Sequence, residues 1–291
     1  MTLLTYQVFQ TAANIGSFHK AADILGLTPS AISHTISSME RELGFNVLTR
    51  SKSGITLTNY GEHLLPYVNA VLNSEESLQQ AIAEFNGLKQ GKVKIAVFSS
   101  VCTNWLPDIL RSFEKQFSKI TIEVFQGTYD DVYYWIKNGV ADLGFLSVSS
   151  AKDIPIEPLY KDPLLCVLPK GARKDADRPY MDIEEMRAHQ FVTQRECTDA
   201  DIQNFLKENS LRIQSNYHVV DDLSTIALVA KGFGICLMPE LVMRDIPYQV
   251  DCYPVYPQTC RIIGIAALHP EFMAPAVRTF YNHILEKYKS V

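Results

Sequence analysis

The sequence predicts an N-terminal all-α winged helix-turn-helix, a linker helix, and a C-terminal α/β domain of two lobes. Three observations carry this. Three short helical stripes and a basic hairpin crowd the first sixty residues. A heptad seam follows them. Strand and helix patterns then alternate to the end of the chain. The expected boundaries are 1–60, 61–90 and 91–291, with lobe I at 91–161 and 268–291 and lobe II at 162–267.

The chain has 291 residues, enough for about two domains. Apolar residues make up 47% and charged residues 20%, the balance of an ordinary globular protein with material for more than one core. No apolar run approaches the ~18–20 residues of a membrane span. The opening MTLLTYQVFQ lacks the basic-then-apolar order of a signal peptide, so the expected location is cytoplasmic, away from any membrane. Cys102, Cys166, Cys197, Cys236, Cys252 and Cys260 form no C-x-x-C pair and read mostly as small buried hydrophobes. A net charge of −5 argues against a protein that coats nucleic acid nonspecifically, while leaving room for a small DNA-reading module.

Leu4, Val8, Ala12 and Ile15 share one helical face, and Ser17 stands where the N-cap of a second helix belongs. Phe18, Ala21, Ala22 and Leu25 form the second stripe, which Gly26 ends. Thr28-Pro29 opens a third helix with a threonine cap and proline at the first position. Its buried stripe is Ile32, Ile36, Met39 and Leu43, and Gly44 terminates it. Two helices joined by the tight turn GLTP form the helix-turn-helix pattern. Ser30, Ser33, His34, Ser37 and Ser38 lie away from the stripe of the second, and such short groups can meet base edges or phosphates at the groove floor. In VLTRSKSGITLT a turn at Gly54 makes a hairpin, whose Arg50 and Lys52 can pair with phosphates or reach a minor groove. Residues 1–62 are nonetheless neutral overall: Lys20, Arg41, Arg50 and Lys52 offset Asp23, Glu40, Glu42 and Glu62. Nonspecific affinity should therefore be modest and dependent on pairing two modules.

SFHKAADILGLTPSAISHTISSMERELG followed by VLTRSKSGITLTNYGEHLL resembles the LysR-type transcriptional regulators, over some sixty residues of N-terminal signature. This sequence departs from the family's pattern at Val47 and Leu48 before the wing arginine, at Ser53 in place of a second basic residue, and at His34 where arginine or lysine is frequent. The resemblance implies sequence-specific binding of double-stranded promoter or operator DNA.

Leu64, Val68, Val71, Leu78, Ile82 and Phe85 fall on alternating four- and three-residue steps, with Glu75 in the one polar slot. The rest of NSEESLQQAIAEFNGLKQGK is polar, too narrow a face for a core helix, so a dimer contact is expected. In the LysR-type family a long helix after the wing serves that purpose. A homodimer is therefore the expected assembly, with a homotetramer left open.

VKIAVF, ITIEVF and ADLGFL read as strands separated by helices, the βαβ alternation of a mostly parallel sheet. YKDPLLCVLP, HQFVTQ, NYHVV and GICLMP supply later strands, so two lobes with a cleft are expected. Ligands in such sheets sit beyond the carboxyl ends of strands, near helix N-termini. That rule selects Ser99, Ser100, Cys102, Thr103 and Ser147 in the first lobe, and Thr193, Gln194, Arg195, Cys197 and Thr198 in the second. Arg195 beside a helix N-terminus favours an anionic small-molecule effector. IKNGVADLGFL and IALVAKGFGICLMP resemble the family's effector domain, which implies lobes of the periplasmic-binding-protein kind with crossovers near Lys161–Pro163 and Leu268.

An alternative trigger is redox. Peroxide-sensing members of the family carry a reactive cysteine at about the place of Cys197, with Cys102 as the available partner here. An enzyme is not expected: G-x-S-x-G, H-E-x-x-H, P-loop and dinucleotide motifs are all missing. The histidines show no ligand spacing, so neither metal nor cofactor is expected.

Overall fold

The computed structural model describes residues 1–51, 54–85, 90–173, 178–194, 199–213 and 215–288. Two compact units divide the chain: Met1–Lys89 with Lys137–Val140 and Met273–Pro275 form one, and Gln90–Ile136, Ala141–Phe272 and Ala276–Val291 the other.

In the first unit, α1 (Leu3–Ile15), α2 (Phe18–Leu25) and α3 (Pro29–Leu43) are followed by an antiparallel wing of β1 (Leu48–Ser51) and β2 (Gly54–Leu57), then by α4 (Asn59–Phe85). The local signals act as expected. Thr2, Ser17 and Thr28 cap α1, α2 and α3 by accepting from backbone N–H groups, and Gly16, Gly26 and Gly44 close the same helices in the left-handed conformation. The core is Val8, Phe9, Ala12, Ala21, Ala22, Ile32, Ile36 and Met39, closed by Val47, Leu48, Leu65 and Val68. Each large apolar side chain buried there contributes about 1.5–3 kcal/mol. Leu4 and Ile15, on the same face, are 50% and 40% exposed. Burial is confined to the middle of α1, where Phe9 completes the face. Gly61, in the first turn of α4, lies so close to Val47 that a Cβ would overlap its carbonyl oxygen. This accounts for the glycine that ends the wing motif LTNYG.

The second unit begins with β3 (Gly91–Val97), α5 (Ser99–Asn104), α6 (Leu106–Gln116), β4 (Ile120–Gln126), α7 (Tyr129–Lys137) and β5 (Leu143–Ser147). Next come β6 (Ile156–Pro169), β7 (Met181–Asp182), α8 (Ile183–Arg187), β8 (Val192–Gln194), α9 (Ala200–Glu208) and β9 (Tyr217–Val219). The chain ends with α10 (Asp222–Ala230), β10 (Cys236–Pro239), β11 (Val250–Tyr256), β12 (Cys260–Ala266) and α11 (Pro275–Tyr288).

Strands β4, β3 and β5 are parallel, as the alternation predicts, and β12 adds antiparallel to β5. Strand β6 is long enough to serve both halves. Its first part, through Pro163, pairs with β12, and from Leu164 onward it pairs with β10 and β11. Apolar side chains of β6, β10, α8, α9 and α10 fill two adjoining clusters in the second half. Strand β6 thus changes partners between Pro163 and Leu164. The return does not fall at Leu268: β12 already lies beside β5, so the chain changes halves at 257–259. A strand pattern alone cannot reveal this, because β11 and β12 are both short apolar runs and only their partners differ.

Candidate functional site

The exposed side of α3 and the wing come together in the first unit. Glu40 of α3 accepts from the N–H groups of Val47 and Leu48 at 3.0 and 3.2 Å, which fastens the start of the wing to the helix. Arg50 of β1 then lies over α3. Its guanidinium donates to Ser33 Oγ at 3.1 Å and to Ser37 Oγ at 3.2 Å, and sits 4.9 Å from the ring centroid of Phe18. Ser30, His34 and Ser38 are exposed on the same helix, and Ser33 and Ser37 are half-buried beneath the arginine. The surface offers hydroxyls, an imidazole and the exposed Arg50 guanidinium, whose hydrogen-bond partners among the described residues are serine hydroxyls. Lys52 lies outside the described residues.

The second unit contains a cleft of ≈ 250 Å³ whose lining includes Phe98, Ser99, Ser100, Gln126, Thr128 and Tyr129 from the first half. Asp199, Val220, Asp221 and Asp222 line it from the second. Arg261 of β12 lies in its wall, only 4% exposed. It donates to Asp162 Oδ2, Tyr129 OH and Ser100 Oγ, each at 2.7 Å, and lies 5.0 Å from the Phe98 ring centroid. Asp162, fully buried, also accepts from the Leu241 N–H at 2.9 Å. Burial works against the Arg261 charge, but Tyr129, Asp162 and Asp199 outweigh it and hold the guanidinium protonated. Burial also raises the Tyr129 phenol, against the pull of Arg261. This tie joins α5, α7, β6 and β12.

Three carboxylates of the lining cap helices. Asp199 Oδ1 accepts from the N–H groups of Asp201 and Ile202 at 3.0 and 3.1 Å, at the start of α9. Asp221 accepts from Ser224 N–H at 2.8 Å at the start of α10, and Asp131 from Thr128 N–H at 2.8 Å at the start of α7. Burial pushes the Asp199 carboxyl up to about 6, with Arg261 drawing it down and Asp201 adding to the rise. Donation from the Ser224 hydroxyl, together with its backbone N–H, instead lowers Asp221. Ser149 donates to Asp201 Oδ1 at 2.7 Å and Asn104 to the Leu241 carbonyl at 3.0 Å, so two hydrogen bonds span the halves beside the cleft.

Of the residues selected from sequence, Ser99 and Ser100 line this cleft. Thr103 bonds back to the Ser99 carbonyl at 2.8 Å, and Ser147 is buried against the Ser149 hydroxyl at 3.0 Å, so neither contributes to the lining. Thr193 lines a smaller cavity of ≈ 30 Å³ beside α9, which Asp199 also lines. Cys102 is half-buried off the cleft, and burial raises its thiol, opposite to what a reactive cysteine needs. Arg195, Cys197 and Thr198 lie outside the described residues. The sequence reading missed Tyr129, Asp199, Asp221, Asp222 and Arg261. Signals for two existed: Asp221 precedes a helical run as an N-cap should, and Arg261 is a lone charge in the apolar run CRIIGIA. Among the described residues no group of three or more His, Cys, Asp or Glu is placed to hold a metal ion, and no helix is long and apolar enough to cross a membrane.

Comparison with known proteins agrees with both halves of this description. Residues 3–62 match the family described as bacterial regulatory helix-turn-helix protein, lysR family, and residues 86–289 match the LysR substrate binding domain. The chain is 26% identical to the probable HTH-type transcriptional regulator LrrA of Synechococcus elongatus, over 97% of this chain and 96% of that one. In structure it is similar to full-length OxyR C199D from Pseudomonas aeruginosa, with TM-score 0.78, 19% identity, and coverage of 98% of this chain and 95% of that one. It is also similar to full-length CbnR complexed with its target DNA, with TM-score 0.65, 18% identity, and coverage of 98% and 99%. With a LysR-type DNA-binding module and a LysR-type effector-binding domain matched along nearly its whole length, the chain belongs to the LysR family of transcriptional regulators.

Proposed function

We propose that this regulator acts in the cytoplasm as a homodimer that reads operator DNA with α3 and the wing, under control of a small molecule held in the cleft. The observation that carries the control is the cleft itself. It is walled by both halves of the sheet, floored by the Arg261 tie, and rimmed by the starts of α7, α9 and α10. A ligand seated there touches both halves, so its affinity depends on their relative pose, which is the differential affinity that allosteric control requires.

The pairing rests on α4. Val68 is buried in the first unit's core, but Val71, Leu78, Ile82 and Phe85 are 42%, 58%, 45% and 90% exposed along the same seam. An apolar stripe of this kind on a helix is covered by a second copy. A symmetric pair of α3 helices then meets two half-sites, and the weak charge of a single module is offset by the second.

The test is a gel shift of the full chain on the DNA flanking its own gene. Leu78→Glu with Ile82→Glu should yield a monomer by sedimentation and lose operator binding. Ser33→Ala should weaken binding while leaving the dimer intact. A monomeric double variant that binds as tightly as the parent would overturn the dimer reading, and an unaffected Ser33→Ala the assignment of α3.

A further inference from the structure

We propose that Asn69 and Asn73 of α4 form a latch on the end of α7, through which a change at the cleft reaches the helix that follows the wing. Its input rests on the reading of the cleft as the effector site, while the latch itself stands on separate contacts. The chain passes from the second unit to the first in the last turn of α7, so that Lys137–Val140 belong with α1 and α4. There the Asn69 amide donates to the Asn138 carbonyl at 2.7 Å, and the Asn73 amide to the Gly139 carbonyl at 2.9 Å. The Gln10 amide of α1 donates to Asn69 Oδ1 at 2.7 Å, which aims the Asn69 nitrogen at the turn.

Asn69 is 2% exposed, next to the buried Val68. A buried amide is costly unless its oxygen and nitrogen are both bonded, and here Gln10 and the turn supply the two partners. An aliphatic side chain would fill the same core, so packing alone does not account for an asparagine. Carbonyls at a helix C-terminus lack partners within the helix and lie at the negative end of its dipole, and the two amides of α4 meet the two that follow α7. Gly139 permits the approach: its φ is +67°, and a Cβ there would lie 3.1 Å from Asn73 Nδ2 and 3.3 Å from Asn69 Cβ. At its other end α7 begins in the cleft, where Tyr129 OH accepts from Arg261 at 2.7 Å. Val132 and Ile136 between the two ends are buried, and the helix is unbroken from Tyr129 to Lys137. A packed helix of this kind carries a displacement from one end to the other. Asn73 lies between the exposed Val71 and Leu78, so a shift of the latch bears on the seam that would space the two α3 helices.

Hydrogen–deuterium exchange of the full chain, with and without the DNA flanking its own gene, tests the latch with no effector present. Coupling between sites is reciprocal, so DNA bound at α3 must be felt at α7. In the parent, that DNA should change amide exchange across 132–140, the end of α7 and its turn, by about fivefold or more. In Asn73→Ala and Gly139→Ala the change across 132–140 should be lost, while α3 and the wing remain as protected by DNA as in the parent. Asn73 is half-buried, so its truncation spares the core of the first unit. Exchange across 132–140 that ignores DNA in the parent, or responds equally in both variants, overturns the latch. So does faster exchange throughout α1–α3 in both DNA-free variants, which would make these contacts structural only. Tyr129→Phe, which loosens the cleft end, should shift operator affinity about fivefold or more in the parent and little in the Asn73→Ala background. If the Asn73 dependence of exchange holds but Tyr129→Phe leaves operator affinity unchanged, the latch stands and the control assigned to the cleft is overturned.

Discussion

Arg50 in the wing and Arg261 in the cleft wall each donate to hydroxyl side chains, Ser33 and Ser37 in the first case, Ser100 and Tyr129 in the second. They differ in what surrounds the charge. Arg50 is exposed, has no carboxylate partner among the described residues, and lies 4.9 Å from the Phe18 ring centroid. Arg261 is buried and bound to an equally buried Asp162 at 2.7 Å. Two serine hydroxyls can be traded for a phosphate at little cost, because the arginine stays hydrated throughout. A guanidinium matched to a buried carboxylate cannot leave its place. The same residue type is therefore exposed and free of carboxylate partners among the described residues in one region and a buried tie in the other, and burial with charge balance makes the difference.

Removing the tie should have the largest effect. Arg261→Ala leaves Asp162 charged and buried without its partner, and should destabilise the effector domain by roughly 3–5 kcal/mol, read by urea unfolding of the full chain. A loss under about 1 kcal/mol would mean that water or a rearranged neighbour replaces the guanidinium, and the contrast with Arg50 would fail.

Asp199→Asn sharpens the comparison in the opposite direction. Burial holds the folded carboxyl near 6, above its unfolded value, so the stability this group contributes is fully present below about pH 4 and is lost as pH rises through about 6. At pH 7.5 the charged group is a liability to the free protein, and asparagine caps a helix as well as aspartate does. The variant should be more stable than the parent by up to roughly 2–3 kcal/mol at that pH, with the advantage fading below pH 5. Thermal unfolding across the pH series checks this. A variant that is less stable at pH 7.5 would show the carboxylate to be satisfied in the free protein.

Arg50→Ala should leave stability within about 0.5 kcal/mol of the parent, since the residue is exposed. Its effect belongs to DNA: the slope of log affinity against log salt should become shallower by about one for each phosphate that the arginine no longer neutralises. An unchanged slope would place Arg50 off the backbone.

The first unit was legible nearly throughout. Its caps at Ser17 and Thr28, its glycine stops at Gly26 and Gly44 and its buried stripe of Ile32, Ile36 and Met39 each depend on neighbours within a turn or two of chain. At the ends of α1, Leu4 and Ile15 share the periodicity of the face but extend past what covers it. The strands of the second unit were legible one by one, whereas their partners were not. That is why the return crossover was misplaced beyond β12.

By itself the sequence determined the winged module, the narrow seam of α4, the parallel start of the second unit and the family to which all of them point. These are properties of local periodicity, capping and motif spacing. Only the tertiary structure decided the composition of the cleft. Residues 100, 129, 162, 199, 221 and 261 come from separate elements, and no spacing along the chain brings them together. Arg261 is matched there by Asp162 through a hydrogen bond between residues 99 apart in sequence.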